Sequence, residues 1–157
     1  TYKAKKFGLD TKFIKLAGTI NNNRPKQISD TIAKFIKNNK NLKKKKILIL
    51  GVTYKKNSDD LRESPVVRIC NFLKTKVKNE IVICDPHVPN FKKSSLNKFK
   101  NINIKKLQNK IYLKSLALCF IGTNHDKFNF ITLSNNVNKI FDSRNSFKEN
   151  KSNIEQI

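Results

Sequence analysis

The densest chemistry in the sequence lies in the run Gly51-Val52-Thr53-Tyr54-Lys55-Lys56-Asn57-Ser58-Asp59-Asp60-Leu61-Arg62-Glu63-Ser64-Pro65. A glycine lets the chain turn tightly, and Lys55 and Arg62 behind it can neutralise phosphate beside backbone N–H donors. The run has neither the GxGxxG turn of a dinucleotide fingerprint nor the GK[ST] of a P-loop. Any phosphate binding here is therefore of another design. The competing reading is an ordinary solvated loop in which Asp59, Asp60 and Glu63 balance nearby Lys and Arg.

Other reactive side chains are less suggestive. Cys70, Cys84 and Cys119 are odd in number, lack CxxC spacing and sit in apolar patterns, so they read as core residues rather than as disulfides, a zinc site or nucleophiles. No metal site is expected. His87 and His125 have no Asp or Glu arrangement that marks a general base, and His125 reads as a loop hydrogen-bonding residue. Asp85-Pro86 reads as a turn after a strand.

These residues need elements to hold them. Lys46-Ile47-Leu48-Ile49-Leu50 before Gly51 is the apolar run of a buried parallel strand, and Ser64-Pro65 supplies an N-cap and an N1 proline for a helix carrying Val66, Val67, Ile69, Cys70, Phe72 and Leu73. Glu80 to Pro86 gives a second strand, which completes a βαβ unit with an expected right-handed crossover. Leu116 to Gly122 reads as another strand, Phe128 to Val137 as a connection with helical potential, and Lys139 to Asp142 as a short final strand. Residues 91 to 114 show poor periodicity. Upstream, Phe13, Ile14, Leu16, Ala17 and Ile20, then Ile28, Ile32, Phe35 and Ile36, form an apolar helical stripe, with an interruption or kink expected at Asn21 to Pro25. The fold class is α/β: a three-layer Rossmann-like sandwich with a mostly parallel sheet, preceded by a helical arm. Ligands of such sheets bind beyond the carboxyl ends of the strands, which is where the Gly51 run falls.

A chain of 157 residues holds one ordinary domain and a short appendage, and its 30 Lys and 4 Arg against 7 Asp and 4 Glu give a net charge of +23. Nucleic acid is the first partner that such charge suggests. Yet nearly all the cations are Lys, whereas bidentate recognition favours Arg, and Lys with Asn fills 52 positions. The excess sits in residues 1–45 (13 basic, 2 acidic) and 91–114 (8 basic, none acidic), while residues 46–90 carry only +3. Solvated lysine drift is the reading, with no specific nucleic-acid partner and no membrane expected. No apolar run reaches the roughly 18 to 20 residues that span a bilayer, no signal-like segment is seen, and the cytoplasm is the expected location. The chain opens at Thr1 without Met, which reads as a processed, trimmed or truncated start.

The Gly51 run, continued by Cys84-Asp85-Pro86-His87-Val88-Pro89, resembles the carboxyl-terminal domain of the UDP-glucose/GDP-mannose dehydrogenase family, with its GxxxK turn, DDxRxSP stretch and DPxVP strand end. Thr123-Asn124-His125-Asp126-Lys127-Phe128 and Phe141-Asp142-Ser143-Arg144-Asn145 resemble that family's T-x-H/W-D-x-F and DxRN segments. Lys3 to Asp10 and Leu16 to Asn21 resemble the end of its central helical dimerisation region, in wording nearer the bacterial branch acting on UDP-N-acetylglucosamine and UDP-N-acetylmannosamine. The resemblance divides the chain into residues 1–45, the end of that region; 46–148, a UDP-sugar-binding domain; and 149–157, a polar tail.

It further implies an NAD-dependent enzyme that oxidises the C6 alcohol of a UDP-hexose or UDP-N-acetylhexosamine to a uronate through a cysteine-bound intermediate. It assigns Tyr54, Lys55 and Arg144 to the UDP-sugar and Arg62 to NAD, with Asp59, Asp60, Glu63 and Ser64 ordering the loop. The family's catalytic cysteine and first Rossmann domain match nothing here, so no catalytic residue is assigned. The chain is expected to be the back part of a longer, homodimeric polypeptide and inactive alone. A noncatalytic nucleotide-sugar-binding or assembly module is the alternative.

Overall fold

A computed structural model describes all residues except 1, 2, 4, 5, 9, 93 and 150, so part of the Lys3 to Asp10 segment lies outside the described residues. Four-residue apolar runs fix the centre. β1 (Ile47–Leu50), β2 (Ile81–Cys84) and β4 (Leu118–Ile121) are buried on both faces, with no exposed position among them. Such uninterrupted burial belongs to a parallel sheet covered on both sides. Together with β3 (Lys100–Asn101), β5 (Ile140–Asp142) and β6 (Ile154–Gln156) they form one six-stranded sheet in the order β3-β2-β1-β4-β5-β6. Every pairing is parallel.

Side-chain alternation sorts the strands onto two cores. Ile47, Ile49, Ile81, Ile83, Leu118, Phe120 and Phe141 face α1 (Lys12–Asn38) and α2 (Pro65–Lys76). Leu48, Leu50, Val82, Cys84, Cys119, Ile121 and Ile140 face α3 (Lys110–Ser115), α4 (Phe130–Asn136) and Leu107. The three-layer sandwich read from the sequence is present. α2 begins as its sequence asks: the Ser64 hydroxyl accepts from the Val66 N–H and Pro65 occupies the first turn.

Three expectations change. α1 runs unbroken through Pro25, with no interruption at Asn21 to Asn23. The hydrogen bond that a mid-helix proline forfeits, typically worth about 3 kcal/mol with its steric clash, is offset here by burial of Pro25, Ile28, Ile32 and Ile36, the isoleucines each contributing about 1.5–3 kcal/mol. The segment read as a polar tail carries β6, which pairs with β5 from Ile140↔Ile154 to Asp142↔Gln156; its polarity is that of an edge strand with exposed Glu155 and Gln156. Lys139–Asp142 is thus followed by one more strand. The unperiodic stretch 91–114 contains β3, a 3₁₀ turn over Ile104–Gln108 and the start of α3, elements too short to leave a period.

β1 lies between β2 and β4, so the chain leaves it toward one side and returns on the other. This is the switch point of the sheet, where loops diverge and open a crevice at the carboxyl ends. Gly51 and Gly122 end the two strands that flank it.

The candidate nucleotide-sugar site

Gly51 has φ +70° and an added Cβ would stand 2.1 Å from the Thr123 carbonyl oxygen, while a Cβ on Gly122 would meet the Gly51 carbonyl oxygen at 2.6 Å. The two strand ends therefore touch through backbone. Only glycine permits both the left-handed turn and this approach. The β1–α2 loop then leaves the sheet within reach of the loops after β2 and β4.

Asp85, at the end of β2, organises the junction. Its Oδ2 accepts from the Val52 N–H at 2.8 Å and its Oδ1 from the His87 N–H at 2.9 Å. The fully buried His125 ring places Nε2 3.1 Å from Asp85 Oδ2 and 3.3 Å from Thr53 Oγ1, while Nδ1 accepts from the Asn57 N–H at 2.9 Å. Because Nδ1 accepts, the proton of the neutral ring sits on Nε2 and points at the carboxylate. Burial pushes the Asp85 carboxyl up, but the bonds from His125, Val52 and His87 together outweigh it and hold the group below the ordinary carboxylate value. Thr123 Oγ1 donates to the Thr53 carbonyl at 2.7 Å, and Ser64 Oγ donates to the Val52 carbonyl at 2.7 Å. The first turn is thus pinned from four directions. His125 is a positioning residue of the loop, as its sequence context suggests, but the Asp85 carboxylate paired with it corrects the reading that no acid accompanies the histidines.

The nominated ligand contacts project from this frame. Tyr54 is half exposed, although its N–H is tied to the Asp60 carbonyl at 2.8 Å. Lys55 is exposed, and its carbonyl accepts from Thr53 Oγ1 at 2.9 Å, so backbone and not side chain is fixed. Neighbouring Lys56 and Asn57 are instead engaged by Asp126. Arg62 forms a two-point pair with Asp60, Nε and Nη2 each 2.9 Å from a carboxylate oxygen, and its side chain is 89% exposed. That hydrogen-bonded guanidinium holds the Asp60 carboxyl down at about 2. Arg62 is loop-ordering in this state, with its guanidinium at the surface.

Arg144 lies elsewhere on the rim. Its N–H and that of Ser146 bond the buried Asp142 carboxylate at 2.9 and 2.6 Å, and its Nε donates to the Gly122 carbonyl at 2.6 Å. With Arg24 of α1, Pro65 and Val66 at the start of α2, Gly122 and Ser143, it lines a cavity of about 230 Å³. The structure thus gathers Tyr54, Lys55 and Arg62 on one loop and puts Arg144 across the Gly51–Gly122 contact from them. Sequence reasoning missed Arg24. Its signal was rarity, since a chain with 30 Lys keeps only 4 Arg, and two of the four line this one cavity.

All three cysteines are buried, and loss of solvation pushes the Cys70 and Cys84 thiols up to about 12 and Cys119 well above its ordinary value. Thiols held protonated in a core are not nucleophiles. Among the described residues no group of His, Cys, Asp or Glu is arranged to hold a metal ion, and no helix is long and apolar enough to cross a membrane.

A parallel sheet with glycine-ended strands at its switch point, flanked by cationic loops and a capped helix, defines a nucleotide-binding α/β domain. Residues 48–149 match the family model of the UDP-glucose/GDP-mannose dehydrogenase family, UDP binding domain, and the chain belongs to that family. It is 36% identical over 110 residues to a UDP-glucose 6-dehydrogenase of Rickettsia felis, a match covering 69% of this chain and 22% of that protein. A UDP-N-acetyl-D-mannosamine dehydrogenase of Campylobacter jejuni is 33% identical over 95 residues, covering 60% of this chain and 22% of the relative. Among solved structures, the UDP-N-acetyl-mannosamine dehydrogenase Cap5O from Staphylococcus aureus superposes with TM-score 0.69 at 25% identity, over 94% of this chain and 34% of that one. The chain therefore spans about a fifth of the curated relatives' length and a third of the solved one.

Proposed function

We propose that this chain binds the uridine diphosphate side of a UDP-hexose or UDP-N-acetylhexosamine, as the carboxyl-terminal portion of an NAD-dependent UDP-sugar 6-dehydrogenase working in the cytoplasm. The observation that carries this reading is the rigid β1–α2 loop, set at the switch point inside the matched UDP-binding domain. Residues 1–45 are the end of the dimerisation region and 46–148 the binding domain. Relatives of both sugar types support the substrate class without choosing between them.

The geometry supports a division of labour. Tyr54 offers an exposed ring for stacking, and Lys55 supplies a mobile ammonium for the diphosphate. Arg144, anchored by Nε on Gly122, keeps its terminal amino groups free for a phosphate oxygen. Arg62 reaches toward the dinucleotide, exchanging Asp60 for a phosphate. NAD, when bound, supplies the two-electron oxidant for the C6 alcohol. The residues fit that group only as a single outer contact, since Arg62 is the one exposed guanidinium on the loop and no GxGxxG turn is present. The buried cysteines leave the chemical step to a missing amino-terminal portion, the partner that completes the enzyme. The exposed Phe13, Ile14, Leu16 and Ile20 on α1 are the face for a homodimer.

Calorimetric titration of residues 1–157 with UDP tests this. Saturable binding is expected, weakened about tenfold or more by Lys55→Ala and by Arg144→Ala, each of which removes one charge-assisted phosphate contact of about 1.5–3 kcal/mol. Turnover of NAD with a UDP-sugar at an ordinary enzymatic rate by this chain alone would overturn the proposed division. Absence of UDP binding would overturn the site.

A further inference from the structure

The opposite end of the sheet holds a second concave space that the nucleotide-sugar reading does not use. Where α1 and α2 end and β1 and β2 begin, a groove of about 830 Å³ is lined by Lys34, Lys37, Lys43, Lys44, Lys76 and Lys78. Its floor is apolar, made by Ala33, Ile36 and Val77. The lining contains one acid, Asp30, which is already paired with Lys76 at 2.6 Å. Among the described residues Lys34, Lys37, Lys43, Lys44 and Lys78 enter no ion pair.

This concentration is a product of the fold. In sequence the six lysines spread over 45 positions in three groups, on α1, on the loop before β1 and around the end of α2. The packing of α1 on α2 brings the groups to one rim. The wall is firm at its turn: Asn79, nearly fully buried, donates to the Leu42 and Lys45 carbonyls at 2.8 and 2.7 Å and so fixes the loop that carries Lys43 and Lys44. A groove of this volume is comparable in width to the Debye length, roughly 8 Å at physiological salt, so the uncompensated ammonium groups repel one another incompletely screened. The two helix carboxyl termini that meet here offset part of that repulsion but carry only about half a charge each.

We propose that this groove binds a linear polyphosphate, free or carried by a nucleoside. Several phosphates in a row match several point-charge ammonium groups around one concavity, and lysine serves phosphate without demanding the planar fork that carboxylate recognition favours. The volume lies in the range of small-ligand pockets and the shape is concave. Both features suit a small polyanion better than the extended surface of a nucleic-acid duplex. The apolar floor beside the lysine rim offers a base somewhere to rest. The site is separate from the Gly51 loop, being at the strands' amino ends, and does not depend on what binds there.

The test is calorimetric titration of the 157-residue chain with inorganic tripolyphosphate and, separately, with ATP, both free of divalent cations and at 150 mM salt. Saturable one-to-one binding is expected, with Lys37→Glu/Lys44→Glu weakening it at least tenfold and the milder Lys37→Gln/Lys44→Gln several-fold. Both substituted positions are exposed, so circular dichroism should report an unchanged fold. ATP binding more tightly than tripolyphosphate assigns the floor to a base, and equal binding assigns the site to free polyphosphate. Saturating the Gly51 site with UDP beforehand should leave either affinity unchanged. The proposal falls if binding is unsaturable, if Lys105→Glu/Lys110→Glu outside the groove weakens it as much, or if a short RNA competes at lower concentration than tripolyphosphate.

Discussion

The two ends of the sheet solve opposite electrostatic problems. At the carboxyl ends, polar groups are buried and nearly every one has a partner: Asp85, His125, Thr53, Thr123, Ser64 and Asp142 hold backbone N–H or carbonyl groups in place. At the amino ends, charge is outside, mostly of one sign and mostly unpaired. The first arrangement depends on residue identity at single positions, because an orphaned buried donor or acceptor costs about 1–3 kcal/mol. The second depends on a sum. Any one lysine there is replaceable, while the field of six is not.

The sharpest break of that contrast is Gly51→Ala. A Cβ there meets the Thr123 backbone at 2.1 Å and must also accept φ +70°, so neither end of the contact can yield by moving a side chain. A loss of at least about 3 kcal/mol is expected, read as a fall in the urea midpoint, with UDP binding abolished alongside. A neutral result would mean that β1 and β4 do not approach as described.

Asp85→Asn should come next, at about 2 kcal/mol, because the amide group that replaces one carboxylate oxygen faces N–H donors. Its pH signature is specific. The folded carboxyl lies below its ordinary value of 3.8, so the native protein gains stability from ionised Asp85 above that pH and loses it as pH falls through the folded value. The gap between native protein and variant should therefore close in acid. A gap that persists undiminished well below pH 3.8 would show that the carboxylate charge is not what holds the turn.

Legibility follows the same division. The strands β1, β2 and β4, the cap at Ser64-Pro65 and the Gly51 loop were readable because each is encoded in consecutive residues with a physical reason for every type. β6 was not, because an edge strand of Ile154-Glu155-Gln156 is exposed on most of its length and leaves no apolar run. Pro25 misled in the other direction. Local chemistry calls for a break, and only the packing of α1 on α2 supplies the burial that keeps the helix whole. Arg24 and the six-lysine rim were invisible for a shared reason: each gains meaning from residues distant in sequence that the crossover topology brings alongside.

At the amino ends the largest single-residue effect belongs to Asn79, the buried polar side chain behind the lysine groove. Asn79→Ala removes two donors from the Leu42 and Lys45 carbonyls, and about 1–2 kcal/mol of stability should go with them. Hydrogen exchange should rise locally over residues 40–46 while the Gly51 loop stays protected. Equal loosening of both ends would mean that they are not independent.

The smallest expected effect discriminates best between an assembled site and dispersed charge. Lys37→Gln with Lys44→Gln removes two cations that have no anionic partner among the described residues, so no ion pair is lost. Exposed substitutions of this kind usually stay within about 0.5 kcal/mol. Here the sign should be positive, because two of six like charges leave a rim about as wide as the screening distance. The gain should appear as a raised melting temperature at low ionic strength and vanish in roughly 1 M salt, where the Debye length falls to about 3 Å. The matched pair Lys105→Gln with Lys110→Gln, outside the groove, should show no such gain. If both pairs behave alike, the lysines act as one diffuse cloud, and the contrast between an end read residue by residue and an end read as a field disappears.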